Sequence, residues 1–422
     1  MSRRELDAVV VGAGVVGTAA ALGLARAGLE VALVEAREPP SWHLEQPDLR
    51  VFAVAPDNAA LLERLGAWSQ ISAARVQPYR AMRVWDAGGG ATLVFDADRL
   101  GRHELGWIIE NRLLVDRLWS AARQAGVRLH SPDRITGLEQ GLDGVSVELE
   151  SGRRLRARLV VGADGAGSRV RELIGVGTRG RSYGQRGIVA YVGHARPHQA
   201  TCWQRFLPGG PLAFLPFADA ASGGHRSSIV WSLPEAEAER LLQVDEARFL
   251  AELERAFDGP LGALGTVSAR AAFPLRRQLA SVQLKGRVVL AGDAAHVVHP
   301  LAGQGVNLGL RDVAGLLEVA EAAVASGGDP GAPARLARWH RRRRSDNTVS
   351  AHAFDLIDRV YSNDAPLPVL VRGHLLGLAG RVPPLTRALW RHAAGLGGGL
   401  RPAALPVPRD SARAVSPRLR RP

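Results

Sequence analysis

Two glycine-rich stretches hold the residue types that bind a nucleotide. The first is Gly12-Ala13-Gly14-Val15-Val16-Gly17, with Glu35 eighteen positions after its last glycine. Glycines let a backbone approach a pyrophosphate, and the first turn of a helix leaves N–H groups without intrahelical partners. An acid about twenty residues further on can accept hydrogen bonds from an adenosine ribose. Gly12, Gly14, Gly17 and Glu35 are therefore candidate cofactor-binding residues, in a pattern that does not separate FAD from NAD. The second stretch, Gly286 to Asp312, reads GRVVLAGDAAHVVHPLAGQGVNLGLRD. An apolar run, Val288 to Ala291, turns at Gly292-Asp293, and a loop with Pro300, Gly303 and Gly305 leads into a helix. Asp293 can accept hydrogen bonds from sugar-like hydroxyls, and the helix start can cradle an anion. On residue types alone, an ordinary strand-to-helix connection has nearly the same claim on this second stretch.

These residues need elements to hold them. Asp7 to Val11 reads as a short apolar strand, followed by an Ala-rich helix to about Ala27, with Gly28 placed to end it. A second strand, Val31 to Val34, runs into Glu35 and completes a βαβ opening. The helix beyond Gly305 shows an apolar face at Val306, Leu310, Val313, Leu317, Ala320 and Val324. Leu159 to Val161 is a third buried strand, leading to an Asp164-Gly165 turn with Ser168 as helix N-cap. Asn111-Arg112-Leu113-Leu114 opens a further helix. Pieces at Ala81 to Trp85 and Thr92 to Phe95 break this rhythm, as does Gly187 to Ala272, rich in aromatic and β-branched residues. They predict a second, antiparallel sheet.

The segment GDAAH followed by HPLAGQGVNLGLRD resembles the ubiquinone-biosynthesis flavin hydroxylases, the 2-polyprenylphenol hydroxylases related to para-hydroxybenzoate hydroxylase. GADGAGSRVRELIG is similar to the Asp-Gly segment of flavin aromatic hydroxylases, which serves both FAD and NAD(P)H. The resemblance implies that Gly292-Asp293 binds the ribityl chain of FAD and that Pro300 lies beside the flavin ring. It sets Gln304, Gly305, Val306 and Asn307 near the pyrimidine edge. It implies Arg50, in Asp48-Leu49-Arg50, as a ligand of the FAD phosphates, Arg112 as a flavin-side contact, and Asp164 as serving both dinucleotides. TCWQRFLPGGPLAFLPF and SIVWSL also look like this family, whose second sheet roofs the flavin; Phe214, Pro216 and Trp231 are the pocket-lining candidates, with core packing the competing role. The implied fold is α/β (α+β overall). Residues 1–77, 100–182 and 273–330 would form a Rossmann-like FAD-binding domain, and 78–99 and 183–272 an inserted substrate domain. Residues 331–422 would be a helical C-terminal segment with a basic tail.

The implied activity is NAD(P)H- and O2-dependent hydroxylation of a polyprenylphenol ring through a C4a-hydroperoxyflavin. Two alternatives stay open: an FAD hydroxylase of another aromatic metabolite, and a non-catalytic flavin-binding scaffold subunit. No motif names a base that would deprotonate the phenol. His296 and His299 lack an accompanying Cys or carboxylate cluster, so a hydrogen-bonding role is expected and no metal. Nor is there a Gly-x-Ser-x-Gly nucleophile elbow.

Composition bounds the rest. The single cysteine, Cys202, excludes an internal disulfide and agrees with a reducing compartment. The formal charge is +13, but from Gly331 onward there are seventeen arginines against five aspartates and no lysine or glutamate. The body is thus close to neutral, and no nucleic-acid partner is expected. The tail suits an anionic membrane or a partner protein of quinone biosynthesis, and an inert solvated end fits as well. The apolar stretch Leu367 to Leu378 is too short and too broken to span a bilayer, and the N-terminal apolar run is broken by glycines. The expected location is cytoplasmic, peripheral on the inner face of the membrane.

Overall fold

The computed structural model describes residues 6–219, 222–298 and 304–343, with the side chain of Gln304 left aside. Pro300, Gly303, the apolar stretch at 367–378 and the basic tail lie outside the described residues.

The chain opens with strand β1 (Leu6–Val11), helix α1 (Val15–Arg26) and β2 (Val31–Val34). Parallel strands covered on both faces read as continuous apolar runs, which is why LDAVVV and VALV were legible as strands. There follow β3 (Val51–Val54), α2 (Pro56–Arg64), α3 (Trp68–Ser72), β4 (Val76–Tyr79), β5 (Ala81–Asp86), β6 (Leu93–Asp96), β7 (Gly106–Glu110) and α4 (Asn111–Gln124). Then come β8 (Arg128–His130), β9 (Ile135–Gln140), β10 (Val145–Leu149), β11 (Arg154–Gly162) and α5 (Arg169–Leu173). The second half has β12 (Thr178–His194), β13 (Thr201–Leu207), β14 (Gly210–Pro216), β15 (Arg226–Pro234), α6 (Glu235–Gln243), α7 (Glu246–Phe257), β16 (Leu264–Val267) and β17 (Ala271–Ala280). It closes with β18 (Leu284–Lys285), β19 (Val288–Leu290), β20 (His296–Val297), α8 (Gln304–Ala325) and a last helix, α9, over 333–343.

The first sheet runs β18-β19-β11-β1-β2-β8, with β10 and β9 attached beside β11. The ladder from β19 to β8 is parallel, so the ends of β1, β2, β8, β11 and β19 open on one edge. Helices α1 and α8 pack together on this sheet at Gly23, where a Cβ would lie 2.5 Å from a Leu317 methyl. Leu317 belongs to the apolar face read from the sequence. A small sheet, β3-β7-β4, lies apart from both larger ones.

The second sheet has the order β20-β17-β12-β15-β14-β13-β5-β6, with β16 on β12. It is antiparallel except where β5 pairs with β13 in parallel. One face packs on α6 and α7 through Phe214, Trp231, Phe249 and Phe257. Ala53 and Ile108 of the small sheet pack with Cys202 and Leu215 of the second. Among the described residues, no helix is long and apolar enough to cross a membrane.

Candidate active site

The three glycines between β1 and α1 do different things. Gly12 has φ +101°, and a Cβ there would sit 2.4 Å from the carbonyl oxygen of Ala163. A Cβ on Gly17 would meet the Gly12 oxygen at 1.9 Å, so this residue lets the helix press on the loop. Gly14 faces open space and is the N-cap of α1, with no side chain capping the helix. The first-turn N–H groups are therefore left for an anion, with the helix dipole behind them. Glu35, at the end of β2, accepts a hydrogen bond from the Ala13 N–H at 2.6 Å, which holds its carboxylate beside this cradle.

The cradle opens into a cavity of about 1150 Å³ that continues beneath the second sheet. That is slightly above the roughly 300–1,000 Å³ of ordinary small-molecule sites. Gly12, Gly14, Glu35, Arg50, Asp164 and Asp293 line it, and so do Gly305 and Val306 in the first turn of α8. The Arg50 guanidinium lies over the Phe52 ring at 5.1 Å, and the Arg50 backbone N–H donates to Asp48 Oδ1 at 3.1 Å. Gly17 and Gly292 shape the walls from behind. Gly292 has φ +59°, and a Cβ there would press on Val16 at 3.1 Å.

The carboxylate of Asp164 is already engaged. It accepts from the Ser168 hydroxyl and from the Val170 N–H at 3.0 Å, capping α5. Burial raises its pKa, opposed by these hydrogen bonds. Close by, the buried guanidinium of Arg171 donates to the carbonyls of Ala294 (2.9 Å) and Ala166 (2.8 Å). It ties the Asp164 turn to the Asp293 turn.

Several sequence candidates lie elsewhere. Arg112 does not line the cavity; its backbone N–H donates to Asp48 at 2.9 Å, and its neighbour Asn111 faces the cavity instead. Asn307 is fully buried one residue past the lining. Its amide accepts from the Ala55 N–H (2.9 Å) and Asn58 Nδ2 (2.8 Å) and donates to the Ala53 carbonyl (2.7 Å), fastening α8 to β3 and α2. Phe214 and Trp231 point into the α6–α7 core, where Phe214 stacks on Phe257 at 4.0 Å. Successive strand residues face opposite sides of a sheet, so their neighbours Leu215 and Val230 form the cavity ceiling. Pro216 is buried in β14 outside the lining.

Sequence reading passed over Asp133 to Thr136 and Glu150, which line the end of the cavity near Glu35. The strand order would have found them. Ligands bind beyond the carboxyl ends of parallel strands, and β8 lies next to β2. His296 makes a buried hydrogen bond to Asp312, the role expected of it. Among the described residues, no group of three or more His, Cys, Asp or Glu could hold a metal ion.

Residues 5–348 match the family described as FAD binding domain. The ubiquinone hydroxylase UbiL of Rhodospirillum rubrum is 40% identical over 390 residues, covering 92% of this chain and 89% of the relative. The 3-demethoxyubiquinol 3-hydroxylase of Escherichia coli is 37% identical over 398 residues, covering 94% and 100%. In fold, the p-nitrophenol 4-monooxygenase PnpA of Pseudomonas putida DLL-E4 matches with a TM-score of 0.75 at 21% identity, covering 94% of this chain and 99% of that one. The Klebsiella pneumoniae R204Q HpxO complexed with FAD matches with a TM-score of 0.72 at 20% identity, covering 92% and 99%. The chain belongs to the FAD binding domain family, among the flavin hydroxylases of ubiquinone biosynthesis.

Proposed function

We propose that this protein is an FAD-dependent monooxygenase that hydroxylates the aromatic ring of a polyprenylated phenol in ubiquinone biosynthesis, using NAD(P)H and O2. The observation that carries this reading is the continuity of one cavity, from the open glycine cradle of α1 to an apolar ceiling under the second sheet. The residues fit the cofactor. Gly12, Gly14 and the first turn of α1 would receive the pyrophosphate, with Gly17 holding the helix close. Glu35 would take the adenosine ribose, Arg50 a phosphate, Asp293 the ribityl chain, and Gly305 and Val306 the pyrimidine edge of the ring.

Bound flavin supplies the electron and oxygen transfer. The chain has to bind, orient and exclude water. The N-terminal turn of α8 favours negative charge at the ring edge by up to ~2 kcal/mol, about thirtyfold in an equilibrium. Val189, Leu215, Val230 and Ala272 keep water from the reacting ring. Since the Asp164 carboxylate caps α5, its turn would meet a dinucleotide through backbone groups, including Gly165 at φ +81°.

A polyprenyl tail partitions into membrane, so the reading includes peripheral attachment at the inner face. The seventeen arginines against five aspartates from Gly331 onward support it, at about 1 kcal/mol per engaged residue. Reconstituted with FAD, the protein should oxidise NAD(P)H faster when a short-chain prenylphenol is added, and labelled dioxygen should appear in the product. Stimulation without incorporated oxygen would refute hydroxylation. Flavin binding with no stimulated turnover would favour the scaffold role.

A further inference from the structure

Behind the Gly292-Asp293 turn lies a buried polar network that the proposed reaction does not use. Asp312, on α8, is 0% exposed, His296 1% and Arg343 6%. One carboxylate oxygen of Asp312 accepts both the Gly292 N–H at 3.1 Å and His296 Nε2 at 2.6 Å. The other accepts Arg343 Nε at 2.9 Å, and the backbone carbonyl of Asp312 accepts Trp339 Nε1 at 3.1 Å. Two of these four donors therefore come from α9, across the Gly327-Gly328-Asp329-Pro330 turn that follows α8.

The carboxylate is held between two basic side chains. His296 Nδ1 is buried with no partner among the described residues, while Nε2 is bound to Asp312 at 2.6 Å. Burial alone would raise the Asp312 pKa, yet His296 and Arg343 hold it well below the usual carboxylate range. It is therefore a permanent acceptor for the N–H that begins the Asp293 turn. We propose that Asp312 is the positioning residue of the flavin turn and that Arg343 locks it, so that helix α9 is part of the cofactor site although it does not line the cavity.

The physical reason is the asymmetry of a buried ion pair. Taking away the guanidinium removes a charge partner from a fully buried carboxylate, the costly half of such a pair. The carboxylate must then take up a proton or draw in water. A carboxylic acid donates where the carboxylate accepted, so it competes with Gly292 or His296 for geometry. Gly292 is clasped on its other side by α8, since a Cβ on Gly309 would lie 3.1 Å from the Gly292 Cα. A shift of Asp312 is thus passed to the residue next to Asp293.

The inference rests on FAD binding at this turn, and the wild-type titration checks that separately: a wild-type chain that binds no flavin fails the cofactor reading itself. The full-length apoprotein is titrated with FAD, following flavin fluorescence, at a temperature where circular dichroism shows each variant folded. Arg343→Met should raise the FAD Kd about tenfold or more, and Arg343→Lys, which keeps the charge, should recover most of the loss. Network residues serving only as internal packing would lower the melting temperature of the apoprotein and leave Kd within about twofold, and that result overturns the proposal. If Arg343→Met does not fold, Trp339→Phe carries the test, because it removes one N–H donor and keeps the ring packing. A Kd raised more than about twofold supports the proposal, and an unchanged Kd overturns it.

Discussion

Asn307 and Asp293 stand in one glycine-rich stretch, one buried among backbone partners and the other lining the cavity, so they should fail in opposite ways. In Asn307→Ala, the Ala55 N–H loses its acceptor inside a buried site, and Asn58 and the Ala53 carbonyl each lose a bond. Asn58 retains its 3.2 Å bond to the backbone carbonyl of residue 307. One orphaned buried donor costs about 1–3 kcal/mol, and two weakened partners with a small void add about 1 kcal/mol. The expected loss is therefore ~2–4 kcal/mol in the apoprotein, read from urea unfolding followed by circular dichroism. Asp293 lines the cavity, and among the described residues no comparable set of bonds holds its carboxylate. Asp293→Ala should leave apoprotein stability within about 0.5 kcal/mol and weaken FAD by tenfold or more, at about 1.4 kcal/mol per tenfold. If Asn307→Ala unfolds like wild type and loses flavin affinity instead, Asn307 is a ligand and the reasoning from its bonds is wrong.

Two further outcomes follow from strand parity and from a buried histidine. Leu215→Trp should fill the cavity ceiling, retain FAD and lower phenol-stimulated NAD(P)H oxidation at least about tenfold, whereas Phe214→Ala should cost about 3–5 kcal/mol of stability; similar effects from both would refute the assignment of faces. His194 bonds Ser227 Oγ at 2.9 Å and the Arg196 carbonyl at 2.7 Å, and burial lowers its pKa to about 4. The folded state prefers the neutral ring, so this contribution is intact above the ordinary value of 6.5 and is lost as pH falls from there toward about 4. The loss reaches at most ~3 kcal/mol. In His194→Gln the stability difference between pH 7 and pH 4.5 should shrink by a corresponding amount, measured by urea unfolding; an identical pH dependence in both proteins would refute it.

The parallel sheet was legible because its strands are buried on both faces and punctuated by glycines whose conformations are specific. The second sheet was legible as strands but not as faces. With helices on one side and the cavity on the other, Phe214-Leu215 and Val230-Trp231 carry apolar residues at both parities, and the alternation that marks a half-solvated strand disappears. The packing of Asn307 was hidden for another reason. An amide beside a glycine-rich turn has the chemistry of a flavin contact, and only the position of β3 and α2 shows that its partners are Ala53, Ala55 and Asn58. The Asp312 network was invisible because its members belong to α8, β20 and α9, brought together by packing and by no local pattern.

Both large sheets are stitched from distant parts of the chain. The first needs β19 beside β11, and the second needs β5 and β6 from before residue 100 together with β20 at His296–Val297. During synthesis the first sheet cannot be completed before Leu290, nor the second before Val297, has left the ribosome. Until then the open edges of β11 and β17 offer unpaired backbone groups, and late closure of long-range pairs is slow. The cofactor pocket is thus among the last features to form. A chain cut short before β19 would lack both the Asp293 wall and the β20 edge of the second sheet, leaving a fragment with exposed strand edges for chaperones and proteases to find.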